Sequence, residues 1–183
     1  LDAVTDSIAL PVVVKPARGG SSQGVSIVFN QADLNRAMVD AYVYCDVVII
    51  EKYIEGTELA VGIIDLGAGP IALPAVEVEP VSGHFSYEER YTAGETNYYV
   101  PARLEAKVAE AAHKLAVLAH GVLGLRHISR IDMIADKNGT VWFLEANVLP
   151  GLTETSLLPM AITASGNSLG EVYYSLAEAA KRG

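Results

Sequence analysis

Ser129-Arg-Ile-Asp-Met-Ile-Ala-Asp-Lys-Asn-Gly-Thr-Val-Trp-Phe-Leu-Glu-Ala-Asn-Val148 is the stretch whose reading decides the fold. Asn138-Gly139 is the strongest short-range signal for a two-residue type I′ turn, and β-prone runs flank it on both sides. If Lys137 pairs with Thr140 across that turn, counting back sets Asp132 opposite Glu145 and Arg130 opposite Asn147. Side chains alternate faces along a strand, so these four polar groups share one side. Ile131, Met133, Ala135, Trp142, Leu144, Ala146 and Val148 fall on the other, which is the predicted core face.

Two carboxylates directly across a ladder repel each other, so something should compensate. A hard divalent cation with oxygen ligands would do so, with Asn147 supplying a third oxygen. A solvated face on which both acids are screened by water is the other reading, and spacing alone does not choose between them.

The 183 residues, 51% of them hydrophobic, can build one ample domain or two small ones. A net charge of -9 argues against a nucleic-acid-binding surface, although a small basic pocket can coexist with an acidic exterior. The single Cys45 rules out an internal disulfide framework, and four scattered His give no zinc signature, which fits a reducing, cytoplasmic setting. No apolar run reaches the roughly 18 residues of a membrane span, and the amino end does not look like a signal peptide. The absence of an initiator Met suggests a fragment.

Upstream, Pro11-Val-Val-Val-Lys-Pro16 reads as a buried strand ending in a lysine, followed by Ala17-Arg-Gly-Gly-Ser-Ser-Gln-Gly24 and a second strand over Val25 to Val28. The Gly/Ser loop is either a phosphate cradle, with N-H groups, hydroxyls and Lys15 turned onto an anion, or a flexible surface hairpin loop. It is not a Walker loop. Ala32 to Tyr44 has helical spacing. Val47 to Ile54 and Glu58 to Ile64 read as strands, with Glu51 and Lys52 placed to pair with each other, and Ile71 to Val78 gives one or two more. His84 to Asn97 is a long polar loop bearing aromatic rings, either disordered or a lid. Leu104 to Leu123 is the clearest helix, with a stripe of Leu104, Val108, Ala111, Leu115, Leu118 and Val122. A helix from Leu157 and another from Ser168 to Lys181 complete the chain, Thr155 or Ser156 capping the first or offering its N-H groups to a carboxylate.

Val14-Lys-Pro-Ala-Arg-Gly-Gly-Ser-Ser-Gln-Gly-Val25, Ile50-Glu-Lys-Tyr-Ile54, Arg130-Ile-Asp-Met133, Leu144-Glu-Ala-Asn-Val-Leu-Pro-Gly-Leu-Thr153 and Ser156-Leu-Leu-Pro-Met160 together resemble the D-alanine:D-alanine ligase branch of the ATP-grasp enzymes. The resemblance runs in order along essentially the whole chain. It implies an α+β ATP-grasp fold, with mixed or antiparallel sheets, flanking helices and a nucleotide held between two subdomains. Residues 1–52 would be part of the central subdomain, with the phosphate loop at 17–24. Residues 53–183 would form the carboxyl-terminal catalytic domain, with the lid at 84–97. Family members extend well upstream, where the amino-terminal domain, one ATP-facing lysine and much of the first D-alanine's site would lie.

The roles implied follow residue by residue. Lys15, Ser21, Ser22 and the lid's Arg90 would hold the ATP phosphates, and Glu51, Lys52, Tyr53 and Ile54 would line the adenine pocket. Glu58 would hold the ribose. Asp132, Glu145 and Asn147 would bind two magnesium ions, or manganese. Arg130 and the N-H of Gly151 would stabilise the oxyanion, Ser21 and Tyr91 would complete the catalytic set, and Ser156 and Leu157 would hold the second substrate's carboxylate. The implied reaction is ATP-dependent joining of two D-alanines through an acylphosphate, for peptidoglycan precursors, by a cytoplasmic homodimer with neither a nucleic-acid nor a membrane partner. Two departures stand out. Arg90 replaces the family's usual Lys before Tyr91, and Val148-Leu-Pro-Gly-Leu-Thr-Glu-Thr-Ser156 replaces Thr-Ser-Pro-Gly-Met-Thr-Ser-His-Ser. They keep two alternatives open: a related ligase with another acceptor, and an ATP-binding module without ligase activity. By itself the fragment is expected to be inactive.

Overall fold

The computed structural model describes residues 8–81 and 96–181. These fall into two compact units, one within Leu1–Ile54 and Pro80–Thr96, the other within Glu55–Glu79 and Asn97–Gly183.

In the first unit, three short β-branched runs form an antiparallel sheet in the order β2-β1-β3: β1 (Val12–Pro16), β2 (Ser26–Val28) and β3 (Val48–Lys52). Alternation divides β1 cleanly. Val12 and Val14 are buried with Val28 against Leu34, Ala37 and Ala41 of helix α1 (Gln31–Tyr42). Val13 and Lys15 point to the sheet's other face, which Glu51 shares, because Val13 pairs with Glu51 and Lys15 with Ile49.

The second unit is built on β4 (Gly56–Ile64) and β8 (Ile128–Asp136), which pair antiparallel over nine consecutive positions. Strands β5 (Ile71–Ala72), β6 (Val76–Pro80), β7 (Thr96–Tyr99) and β9 (Val141–Asn147) extend this sheet, in the order β7-β6-β4-β8-β9 with β5 also on β4. Both faces of β4 are buried. On one, Leu59, Val61 and Ile63 meet Ile131, Met133 and helix α2 (Ala106–Val122); on the other, Ala60 and Ile64 meet α3 (Leu157–Ala164) and α4 (Leu169–Ala180). That double burial is why β4 reads as a nearly continuous apolar run.

Three expectations need correction. The stripe predicted for the long helix holds only in part: Leu104, Val108 and Leu115 pack on the core, but Ala112, Ala116 and His120 are the buried residues of the helix, and Ala111, Leu118 and Val122 are exposed. Alanines let the helix axis approach the sheet, with Val108, Leu115 and Val117 packing at the edges of the contact. The bend of the hairpin is also one residue longer than the type I′ reading. Asp136 N-H donates to Thr140 O and Gly139 N-H to Asp136 O, so Lys137, Asn138 and Gly139 form the loop. Gly139 alone of these has positive φ, at 78°, as a type I turn closed by a glycine bulge requires. Near the bend Ala135 pairs with Val141 and Met133 with Phe143, so Lys137 does not pair with Thr140. A bulge between Asp132 and Met133, with Leu144 as the extra residue on β9, then restores the expected register: Asp132 faces Glu145 and Arg130 faces Asn147. The third correction follows from the second. Trp142 is 41% exposed and lies opposite Ile134, off the core face; Val148 is exposed independently of the shift, because β9 ends at Asn147.

Candidate functional site

Arg130, Asp132, Glu145 and Asn147 do share one face of the β8-β9 hairpin. The Arg130 guanidinium lies bidentate on Asp132, Nε to Oδ1 at 2.7 Å and Nη2 to Oδ2 at 2.8 Å. Asn147 Nδ2 donates to Asp132 Oδ2 at 3.0 Å and, more weakly, to Glu145 Oε1 at 3.4 Å. The repulsion that the sequence reading gives to a cation is thus met by the protein's own donors. Burial of Arg130 opposes its charge, but the hydrogen bonds and charge of Asp132, with Glu145 and Glu58 beyond, outweigh it and raise its pKa. Glu58 belongs to this face by register, opposite Ile134 on β8, while Ala60 lies opposite Asp132 and Gly62 opposite Arg130. Asp132 is buried and Glu145 exposed, so one acid is fixed and the other is open to solvent.

Among the described residues no three His, Cys, Asp or Glu side chains converge as a metal cluster. Two carboxylates and an amide oxygen nevertheless make a hard-oxygen donor set of the kind magnesium takes. In the present hydrogen-bond arrangement Asn147 turns its nitrogen to the acids, and a flip of the amide would present the oxygen instead. The residues therefore fit such a cation.

Beyond β9, residues 148–156 form an irregular turn into α3. Ser156 takes the extended backbone of an N-cap, but its hydroxyl makes no cap bond and instead meets Thr153 Oγ1 at 2.8 Å. Ser156 N-H donates to Thr153 O, also at 2.8 Å. Gly151 lies beside Ser156: a Cβ there would come within 2.6 Å of Ser156 Oγ and 3.2 Å of its Cβ, so a larger residue would displace the Ser156 side chain. Leu157 is half-buried as the first residue of α3.

In the other unit, Lys15 Nζ lies 2.6 Å from Glu51 Oε1. Glu51 therefore pairs with Lys15 and not, as its dipeptide context suggests, with Lys52, which is exposed and alternates to the other face. Tyr53 continues past the strand, its N-H on Pro11 O and its ring 6.0 Å from that of Phe29. Ile54 is half-buried. In the Gly/Ser loop, Ser21 and Ser22 both adopt left-handed backbone, φ 56° and 58°. Such conformations cost L-residues roughly 1–2 kcal/mol each, so the loop holds strain where the sequence reading places a phosphate cradle. Gly24, also left-handed, lets the loop close on Tyr44, whose ring a Cβ would meet at 2.6 Å. Arg90, Tyr91 and residues 84–95 of the expected lid lie outside the described residues; Thr96 and Asn97 open β7.

Sequence reasoning missed two polar clusters. The first is Glu77, buried, which accepts Arg103 Nη2 at 2.5 Å and Arg103 N-H at 2.9 Å, while Arg103 also reaches Glu79 and stacks 3.5 Å over the Tyr99 ring. Hydrogen bonding from Arg103 holds both glutamates below the usual carboxylate range. Strand alternation in Val76-Glu-Val-Glu-Pro80 does place both acids on one face, and was the available signal. The second is His120, whose Nδ1 lies 2.8 Å from Ser129 Oγ and whose Nε2 is buried without a partner.

With this geometry in view, comparison with known proteins gives a consistent answer. A family model described as "D-ala D-ala ligase C-terminus" matches residues 1–178. D-alanine--D-alanine ligases from Methylacidiphilum infernorum and Fervidobacterium nodosum are 41% and 39% identical, each alignment covering 92% of this chain and 54% and 53% of the relative. The chain thus spans about half the length of the curated relatives it matches. Among solved structures, D-alanine--D-alanine ligase from Bacillus anthracis superposes with TM-score 0.84 at 31% identity, over 100% of this chain and 58% of that one. VanG D-Ala:D-Ser ligase from Enterococcus faecalis gives 0.85 at 29%, over 97% and 52%. A complex of the Bacillus anthracis enzyme with ATP gives 0.80 at 28%, over 100% and 57%. Motif order, strand register and these matches agree: the chain belongs to the carboxyl-terminal region of the D-alanine:D-alanine ligase family and has the ATP-grasp fold.

Proposed function

We propose that this chain is the catalytic portion of an ATP-dependent ligase joining two D-alanines, a cytoplasmic step in supplying peptidoglycan precursors, carried out by a homodimer. The observation that carries this reading is the Arg130, Asp132, Glu145 and Asn147 constellation on one sheet face, in a chain that matches the family along nearly its whole length. Residues 1–52 correspond to part of the central subdomain and 53–183 to the carboxyl-terminal domain.

The chemistry has two steps. The carboxylate of the first D-alanine attacks the γ-phosphorus of ATP, the bond to the bridging oxygen breaks, and ADP leaves, giving an acylphosphate. The amine of the second D-alanine then attacks the acyl carbon and loses a proton, and phosphate is expelled as the amide forms. Lys15, Ser21 and Ser22 orient the phosphates, with Arg90 and Tyr91 completing the set. Glu51, Lys52, Tyr53 and Ile54 line the adenine pocket and Glu58 holds the ribose. Arg130 and Gly151 N-H face the oxygen that becomes negative in the second step, where a fixed donor is worth most. Ser156 and Leu157 receive the acceptor carboxylate at the start of α3. Magnesium, with manganese as the alternative, would be held by Asp132, Glu145 and Asn147 and would offset charge on the transferring phosphoryl group.

A second reading keeps the chemistry and changes the acceptor. It is favoured by the residues of the turn before α3, Glu154 and Thr155 included, and by the likeness to a D-Ala:D-Ser ligase. One experiment separates the readings: phosphate release by the complete protein with ATP, magnesium and D-alanine, alone and with other D- and L-amino acids as acceptors. D-alanine alone should suffice. Release only with a different acceptor selects the second reading, and none with any amino acid rejects both.

A further inference from the structure

The turn at residues 148–156 has only Pro150 buried. It carries no helix or strand, and Gly151, Leu152, Thr153, Glu154 and Thr155 are all exposed. Yet it must present Gly151 and Ser156 at fixed positions if the function proposed above is right. A displacement of about 1 Å in such donors is enough to cost catalysis heavily. The turn's internal bonds tie Thr153 to Ser156 and leave open what fixes that pair to the body of the unit.

Helix α4 supplies a tie. Tyr173 Oη donates to the carbonyl of Leu152 at 2.9 Å, across 21 positions of sequence. Its ring packs on the core cluster that includes Ala60, Leu158 and Val172, so the hydroxyl stands on a rigid base. Burial raises the phenol's pKa, which keeps it a donor at any ordinary pH. The accepting carbonyl belongs to the Leu152-Thr153 peptide. One residue back is Gly151; at the other end of that peptide is Thr153, which grips Ser156 through both its carbonyl and its hydroxyl. A single hydrogen bond from the helical core therefore sits between the two groups that the reaction needs.

We infer that Tyr173 is a positioning residue for the acceptor site: by holding the Leu152 carbonyl it sets where Gly151 and Ser156 meet the second amino acid. This inference rests on the ligase reading. The hydrogen bond from its hydroxyl goes to the backbone of the turn, through which it would act.

The test is Tyr173→Phe in the complete protein, which keeps the ring and its packing and removes only the donor. Losing one such bond should raise the Michaelis constant for the second D-alanine about three- to tenfold. The constants for ATP and for the first D-alanine, separated by fitting two D-alanine terms to the rate, should stay within about twofold, and Tm within about 2 °C. Tyr174→Phe, one residue along and exposed, is the control and should alter none of these. An unchanged acceptor constant in Tyr173→Phe, or a parallel loss of all constants together with Tm, overturns the inference while leaving the ligase reading intact. An unsubstituted protein without amino-acid-dependent ADP release overturns that reading, and this inference with it.

Discussion

His120 sits on α2 with its Nδ1 on Ser129, immediately before Arg130, and its Nε2 has no partner, so protonating it inside the unit is unfavourable. Burial lowers its pKa below the ordinary 6.5, the charge of Asp65 only partly opposing. The sign of the consequence follows. As pH falls, the unfolded chain takes up this proton before the folded one does, so the stability contributed by neutral His120 is complete above about pH 6.5 and is lost progressively through the lower folded pKa. Tm should therefore fall as pH drops below about 6.5, and His120→Gln should flatten that limb. The glutamates held low by Arg103 act below 4.5 and do not confuse the window. A Tm equally steep in both proteins would refute the assignment. None of this was legible in the sequence, because a histidine on a helix gives no sign of which face it occupies. Arg130, Asp132, Glu145 and Asn147, by contrast, were legible two by two, since strand parity groups Arg130 with Asp132 and Glu145 with Asn147; that the two pairs share a face depends on the register, which the bulge at Leu144 restores.

The same contrast holds for whole elements. Strand β4 was readable because burial on both sides forces an unbroken apolar run, whereas the face of α2 was readable only in part, through Val108 and Leu115, because its buried alanines carry too little hydrophobic contrast to mark a stripe. The tip of the hairpin was misread for a different reason: Asn-Gly serves a three-residue loop as well as a two-residue one, and only backbone angles decide. Gly62 shows how one element constrains another. It lies opposite Arg130 on β4, and a Cβ there would come within 2.5 Å of Leu158 Cδ1 and 3.0 Å of Leu73 Cδ1. Glycine thus lets α3 rest on the sheet directly after the turn that ends at Ser156. Gly62→Val should destabilise the protein by about 1–3 kcal/mol through overpacking, read as a lower urea midpoint. An unaltered midpoint would mean that α3 shifts freely, contrary to its buried Leu158, Ala161 and Ile162.

At the scale of the molecule, no helix among the described residues is long and apolar enough to cross a membrane. The chain covers about half of its curated relatives, and the family resemblance puts much of the first D-alanine's site in their other half. Residues 1–183 alone, given ATP, magnesium and D-alanine, are therefore expected to yield no D-alanyl-D-alanine, while the complete protein yields it. Dipeptide from the shorter piece, detected by mass spectrometry, would refute this. The order of motifs made the fold legible from end to end, but residues 82–95 fall outside the described part, so the roles implied for Arg90 and Tyr91 rest on the resemblance.

The extra residue at Leu144 carries one more implication. Because it absorbs the one-position offset arising at the tip, the half of the hairpin bearing the polar constellation is insulated from it: its alignment is set from the far side, by the nine-position ladder that β8 makes with β4. A graft that lengthens or shortens the Lys137-Asn138-Gly139 tip should be felt as far as Leu144 and no further, which makes this tip a natural place to attach a probe without disturbing the acids.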